Sequence, residues 1–186
     1  MTTPKQLIDR LREEFGCSLK DERILFMINA LEARLSKDVL RKTDIVKVPV
    51  QKNESRITLD FAAELVTRVS FGGSELRKSS LQQPCGYKCE GNDIVFEFSH
   101  GGGEAAIEHI VMPKPFTQSD YTERRLVLDD EFCEIYIYHI LSREALLSDD
   151  IERLNNYSTI YAAALKELIS RGGGVFSGAG NFVNIW

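Results

Sequence analysis

Residues 126–171 read LVLDDEFCEIYIYHILSREALLSDDIERLNNYSTIYAAALKELISR. Two apolar stripes run through them at the three-and-four spacing of a helix. Phe132, Ile135, Tyr136, Ile140 and Leu147 form the first; Ile151, Leu154, Tyr157, Tyr161, Ala164, Leu165 and Leu168 form the second. Asp129, Asp130 and Glu131 place negative charge ahead of the first helix, where it offsets the positive end of the dipole. Asp149, with Glu152 three residues on, has the form of an N-cap with its capping-box partner, so the second helix is expected to start there. A connection this short makes the two helices antiparallel neighbours.

Upstream, Thr3, Pro4 and Gln6 make a helix start, with a capping hydroxyl, proline at the first helical position and glutamine three residues after the cap. Leu7, Ile8, Leu11 and Phe15 form its buried side, and Gly16 is a C-terminal stop. Ser18 and Asp21 repeat the capping pattern before a longer helix with Ile24, Ile28, Leu31, Leu35 and Val39 on one face. Glu22, Asn29, Glu32 and Lys37 are expected on its wet face. Thr43 and Asp44 end the helical run.

From Ile45 to about Arg125 the pattern alternates instead. Ile57, Leu59 and Phe61, then Thr67, Val69 and Phe71, then Ile94, Phe96 and Phe98 give period-two strands with one wet face. Gly72-Gly73 and Gly91-Asn92-Asp93 are hairpin signals, and Gly101-Gly102-Gly103 is expected to be a further hairpin turn. Residues 62–65 fit either a strand or one helical turn. Pro113 and Pro115 close the last strand. Five or six short strands are expected.

The chain is therefore expected to be α+β. An antiparallel helical bundle comes from residues 1–44 and 126–171. A small antiparallel β-sandwich or rolled sheet is inserted at residues 45–125. Residues 172–186 follow, where five glycines alternate with Val175, Phe176, Phe182, Val183, Ile185 and Trp186. Glycine supplies freedom and the large apolar groups supply a reason to bind, so this reads as a docking tail.

The 186 residues suit one domain with a sizeable insert, and 43% hydrophobic residues exclude disorder throughout. A net charge of −5 argues against gripping nucleic-acid phosphates. No apolar run is long enough to span a bilayer and the first residues carry no signal-peptide pattern, so a cytosolic origin and reduced Cys17, Cys85, Cys89 and Cys133 are expected.

No catalytic constellation stands out. His139 lies mid-helix without a nucleophile placed beside it, and is expected, with Tyr138 and Tyr157, at a packing or subunit interface. Cys85, Cys89, His100 and His109 carry zinc-type donors, but the histidines fall on separate strands, so no metal is assigned. The SHGGGE loop precedes a strand rather than a helix, which argues against a phosphate cradle.

Four stretches taken in order carry a resemblance: VTRVSFGGSELRKSS at 66–80, GYKCEGNDIVFEF at 86–98, IEHIVMPKP at 107–115 and LVLDDEFCEIYIYHILSREALLSDDIERLNNY at 126–157. Together with the helix–insert–hairpin order, they are similar to the head-to-tail adaptor (connector) proteins of tailed bacteriophages. Cys85 and Cys89 depart from that pattern. The resemblance implies a structural, non-enzymatic virion protein without cofactor, made in the host bacterial cytoplasm and placed in the neck. Its partners would be the portal protein, copies of itself in a ring, typically dodecameric, and a downstream neck or tail protein. Phage DNA would pass through the lumen without sequence-specific binding, and no membrane is involved. Val175, Phe176, Phe182, Val183, Ile185 and Trp186 would then dock on the portal. A tail-completion or tail-tube protein and a small zinc-binding module are the alternatives.

Overall fold

In the computed structural model, which describes residues 2–79 and 86–171, Thr3 starts α1 (Pro4–Phe15) with a complete capping box: its hydroxyl accepts the Gln6 N–H and the Gln6 side chain accepts the Thr3 N–H. Gly16 ends the helix at φ 63°, a conformation that glycine enters without steric penalty. The next helix, α2 (Asp21–Leu35), does not take Ser18 as its cap. The Ser18 N–H and hydroxyl both donate to Glu144 Oε1, at 2.6 and 2.8 Å, and the first turn of α2 closes on the Lys20 carbonyl. A buried carboxylate with two donors displaces the local cap because it must itself be satisfied. A π-helical turn at Ser36–Leu40 continues α2 and stops at Arg41 in the left-handed region.

Two compact units result. One is Met1–Arg34 together with the chain from Pro113 onward; the other is Leu35–Met112. Within the described residues the fold is mixed α+β, with four α-helices and two antiparallel sheets, and no helix is long and apolar enough to cross a membrane.

In the helical unit, α3 (Cys133–Leu147) follows a short 3-10 turn at Asp130–Phe132, and α4 (Ile151–Arg171) returns antiparallel to it. The direction shows in the pairing: Tyr138 meets Tyr157, His139 meets Tyr161, and Arg171 reaches back to Glu131. The cap of α4 is Asp150, whose Oδ1 accepts the Arg153 N–H at 3.0 Å; the expected cap, Asp149, instead makes the turn at φ 53°. The stripe also ends sooner than its spacing implies, because Leu147 and Ile151 flank that turn and point to solvent.

Residues 113–128 form an irregular strap over α1 and α2. Irregular backbone has unpaired N–H and C=O groups, which must find partners when buried. Asn29 bonds both backbone groups of Phe116, with its Oδ1 accepting at 2.7 Å and its amide donating at 3.0 Å. Glu32 Oε1 accepts the Val127 N–H at 2.7 Å and the Tyr136 hydroxyl at 3.0 Å. Asn29 and Glu32 were expected on a wet face; Glu32 is 2% exposed. The strap covers that face, so its polar groups serve the strap.

The β unit has β1 (Thr43–Val50), β2 (Arg56–Thr58), β3 (Val66–Phe71), β4 (Ser74–Leu76), β5 (Tyr87–Glu90), β6 (Asp93–Phe96) and β7 (Gly103–Ile110). The sheet orders are β1-β7-β3-β4 and β2-β6-β5. An isolated parallel bridge between Lys78 and Tyr87 links their edges. Val50, Ile57, Val69, Tyr87, Ile94, Phe96 and Ile107 from both sheets share one apolar core. The expected alternation of Thr67, Val69 and Phe71 fails because a bulge between Val66 and Arg68 shifts the register, burying Val66 and exposing Thr67. Gly72-Gly73 is the β3–β4 hairpin turn, with φ 56° and 82°, and Gly91 at φ 63° opens the β5–β6 turn. Residues 62–65 are mostly a 3-10 turn, Ala63–Leu65.

The Gly101–Gly103 segment is not a hairpin. β6 and β7 lie in different sheets, so the loop carries the chain from one to the other. It passes close to the end of β1: a Cβ on Gly102 would lie 3.3 Å from the Val50 carbonyl oxygen. The β unit also ends at Met112, so residues 113–125 belong with the helices and not with the insert. The two prolines stop the ladder there.

Candidate functional site

The helical unit carries a groove of about 340 Å³ between α2 and α3. From α2 come Arg23, Phe26, Met27, Ala30 and Arg34; from α3 come His139 and Arg143. Ile24, Ile28 and Leu31 hold α2 on the core, which turns Phe26 outward on the opposite side, 72% exposed. None of the three arginines forms an ion pair or hydrogen bond among the described residues, whereas Arg10, Arg12, Arg56, Arg124 and Arg171 are paired. An apolar floor with uncompensated cations is chemistry for a partner with apolar and acidic groups.

His139 lies against this groove and stacks on Tyr161, ring centroids 5.4 Å apart. Burial first, then the Arg143 and Arg34 charges, push its pKa down to about 4. It is therefore a neutral packing group at neutral pH. The same burial pushes the Tyr161 hydroxyl up. Tyr138 sits between the Phe15 ring, at 6.3 Å, and the Tyr157 ring, at 6.0 Å. Tyr138 and Tyr157 thus pack on each other within the chain, each keeping part of its ring exposed.

Next to the groove, the α3–α4 turn presents Leu146, Leu147 and Ile151 to solvent, the last two 52% and 61% exposed. Asp149 and Glu152 beside them form no ion pair among the described residues. Along α4 itself only Ser158 and Leu168 are buried. Leu154, Tyr157, Tyr161, Ala164 and Leu165 form a half-covered stripe, with Ile160 exposed beside it.

The zinc-type donors are not brought together. His100 Nε2 is bonded to the Glu54 carbonyl at 2.9 Å, its ring packed against Phe71, Phe96 and Phe98. His109 stacks on Phe61, centroids 3.8 Å apart, and Cys89 is a free thiol on β5. Cys85 lies outside the described residues, as do the six expected portal-docking positions from Val175 to Trp186. Among the described residues no group of three His, Cys, Asp or Glu side chains could hold a metal ion. The buried carboxyl of Glu32 is pushed up by desolvation, which outweighs its bonds from Val127 and Tyr136, and the Tyr136 hydroxyl is pushed up likewise. Both are tied into packing.

The groove is what sequence reasoning missed. Its signal was Phe26, a lone aromatic on the polar side of α2, with Arg23 and Arg34 on the same helix. Compared with known proteins, the chain matches no family model and no curated protein.

Proposed function

We propose that this chain is a structural protein of the tailed-phage neck, a head-to-tail adaptor that forms a ring beneath the portal and joins head to tail. The observation that carries the reading is the order of elements. A complete β unit, Leu35–Met112, interrupts a helical unit between its second and third helices, and a helix hairpin entered through Asp129–Glu131 closes it. That is the order the resemblance implies. In this reading the helical unit is an antiparallel bundle and the insert a small sandwich or rolled sheet. The half-covered stripe of α4 supports side-by-side packing of copies, with Tyr138, His139 and Tyr157 beside the contact.

The role asks for no bond-breaking chemistry. The bundle packs round the ring, the β unit contacts neighbours and the tail side, and Val175, Phe176, Phe182, Val183, Ile185 and Trp186 dock on the portal. Burying one large side chain contributes about 1.5–3 kcal/mol, and repetition round a ring multiplies that. A net charge of −5 suits a lumen through which DNA must slide.

A nonsense mutation in the gene, within the phage that carries it, tests the reading. Filled heads and free tails that do not join are the expected product. Normal infectious particles would contradict it.

A further inference from the structure

We propose that the α3–α4 turn of one copy seats in the α2–α3 groove of a second copy. Two distinct surfaces of the chain are complementary. The groove offers Phe26 and Met27 with the cations of Arg23 and Arg143, which have no ion-pair partner among the described residues. The turn offers Leu147 and Ile151 with the carboxylates of Asp149 and Glu152, which also lack one. Seating one in the other buries apolar surface on both sides and pairs both sets of charges.

The turn does not fill its own groove. Leu147 lies one helical turn beyond Arg143 on α3, so the apolar tip projects past the groove's end on a rigid helix. Knob and hole are different patches, and the proposal places them on different neighbours, so the contact is heterologous rather than a reciprocal two-fold exchange. Each copy then uses its knob on one neighbour and its hole on the other, which yields a ring when the rotation closes and a filament when it does not. A reciprocal two-fold exchange of knob and hole would instead stop at two. The inference rests on the adaptor reading for ring closure, while the contact itself follows from the two surfaces.

Charge reversal on the full chain tests it. One variant carries Arg23→Glu and Arg143→Glu; the other carries Asp149→Arg and Glu152→Arg. All four positions are exposed, and circular dichroism checks that both variants fold. Sedimentation of the unaltered chain up to millimolar concentration is expected to show concentration-dependent association beyond a dimer. Each variant alone is expected to associate about tenfold or more weakly. An equimolar mixture should recover association beyond a dimer in alternating copies, since the reversed knob fits the reversed hole and the unaltered knob of one variant fits the unaltered hole of the other. An Ile151→Asp variant alone should associate as poorly as either. A monomeric parent, reversal variants that associate like the parent, or a mixture without recovery would each overturn the contact. These outcomes are separable from the adaptor reading: unjoined heads and tails on loss of the gene, with no association through these surfaces, would retain the role and discard the contact.

Discussion

Replacing Glu32 with alanine should destabilise the helical unit more than any exposed substitution in it. The Glu32 carboxylate is 2% exposed, and one oxygen receives both the Val127 N–H and the Tyr136 hydroxyl. Alanine leaves both donors without a partner. Each orphaned buried donor costs about 1–3 kcal/mol, so a loss of about 2–6 kcal/mol is expected for the two. Glu32→Gln keeps an oxygen acceptor in place and removes a buried charge, so it should stay within about 1 kcal/mol of the parent. The pH dependence distinguishes the two effects. Burial raises the carboxyl pKa above its ordinary value of 4.5 in the folded state. The unfolded chain therefore loses its proton first as pH rises. Stability is full below about pH 4.5 and falls as pH climbs through the folded-state pKa; Glu32→Gln should remove that decline. Urea unfolding followed by far-ultraviolet circular dichroism measures the stability, and hydrogen exchange at the Val127 amide reports the bond directly. Glu32→Ala within about 0.5 kcal/mol of the parent, with the Val127 amide still protected, would refute the reasoning.

Three further outcomes follow from single positions. Burial pushes the His139 pKa down to about 4 from the ordinary 6.5, so the unfolded chain takes up a proton that the folded chain refuses between those values. Stability is present above about pH 6.5 and is lost as pH falls toward 4, by about 3 kcal/mol at most; His139→Phe should flatten that part of a stability–pH curve. Gly86→Ala should destabilise the β unit by about 2–4 kcal/mol, because its Cβ would lie 1.9 Å from the Arg77 carbonyl oxygen at φ 135°, whereas Gly73→Ala, with open space around it, should lose only about 1 kcal/mol; thermal melts of the two variants compare them. Asp150→Ala should lose about 1 kcal/mol of cap energy, and Asp149→Gly should be neutral or stabilising by a few tenths; denaturant midpoints that rank the two the other way would reassign the cap.

What the sequence made legible was what is local. Thr3, Pro4, Gln6 and Gly16 bracket α1 because capping is a matter of adjacent residues. Gly72-Gly73 and Gly91 mark two hairpins because their backbone conformation excludes most other residues. What escaped was set by partners far along the chain. Glu32 and Asn29 look like surface residues until a strap about 85–95 positions away presents its backbone to them. Ser18 looks like a cap until Glu144 takes its hydroxyl. The glycine run at 101–103 looks like a hairpin because local sequence does not say which sheet the next strand joins. The groove escaped for a similar reason, since its walls, Phe26 with Arg34 and His139 with Arg143, lie on helices separated by the whole β unit.

A three-dimensional reconstruction of the particle neck tests the central claim most directly. The account predicts density beneath the portal into which copies of the helical unit fit side by side as a closed ring, α4 turned to the neighbouring copy and the DNA channel at the centre. A neck in which every ring is accounted for by other proteins, with no density for this chain, would contradict it.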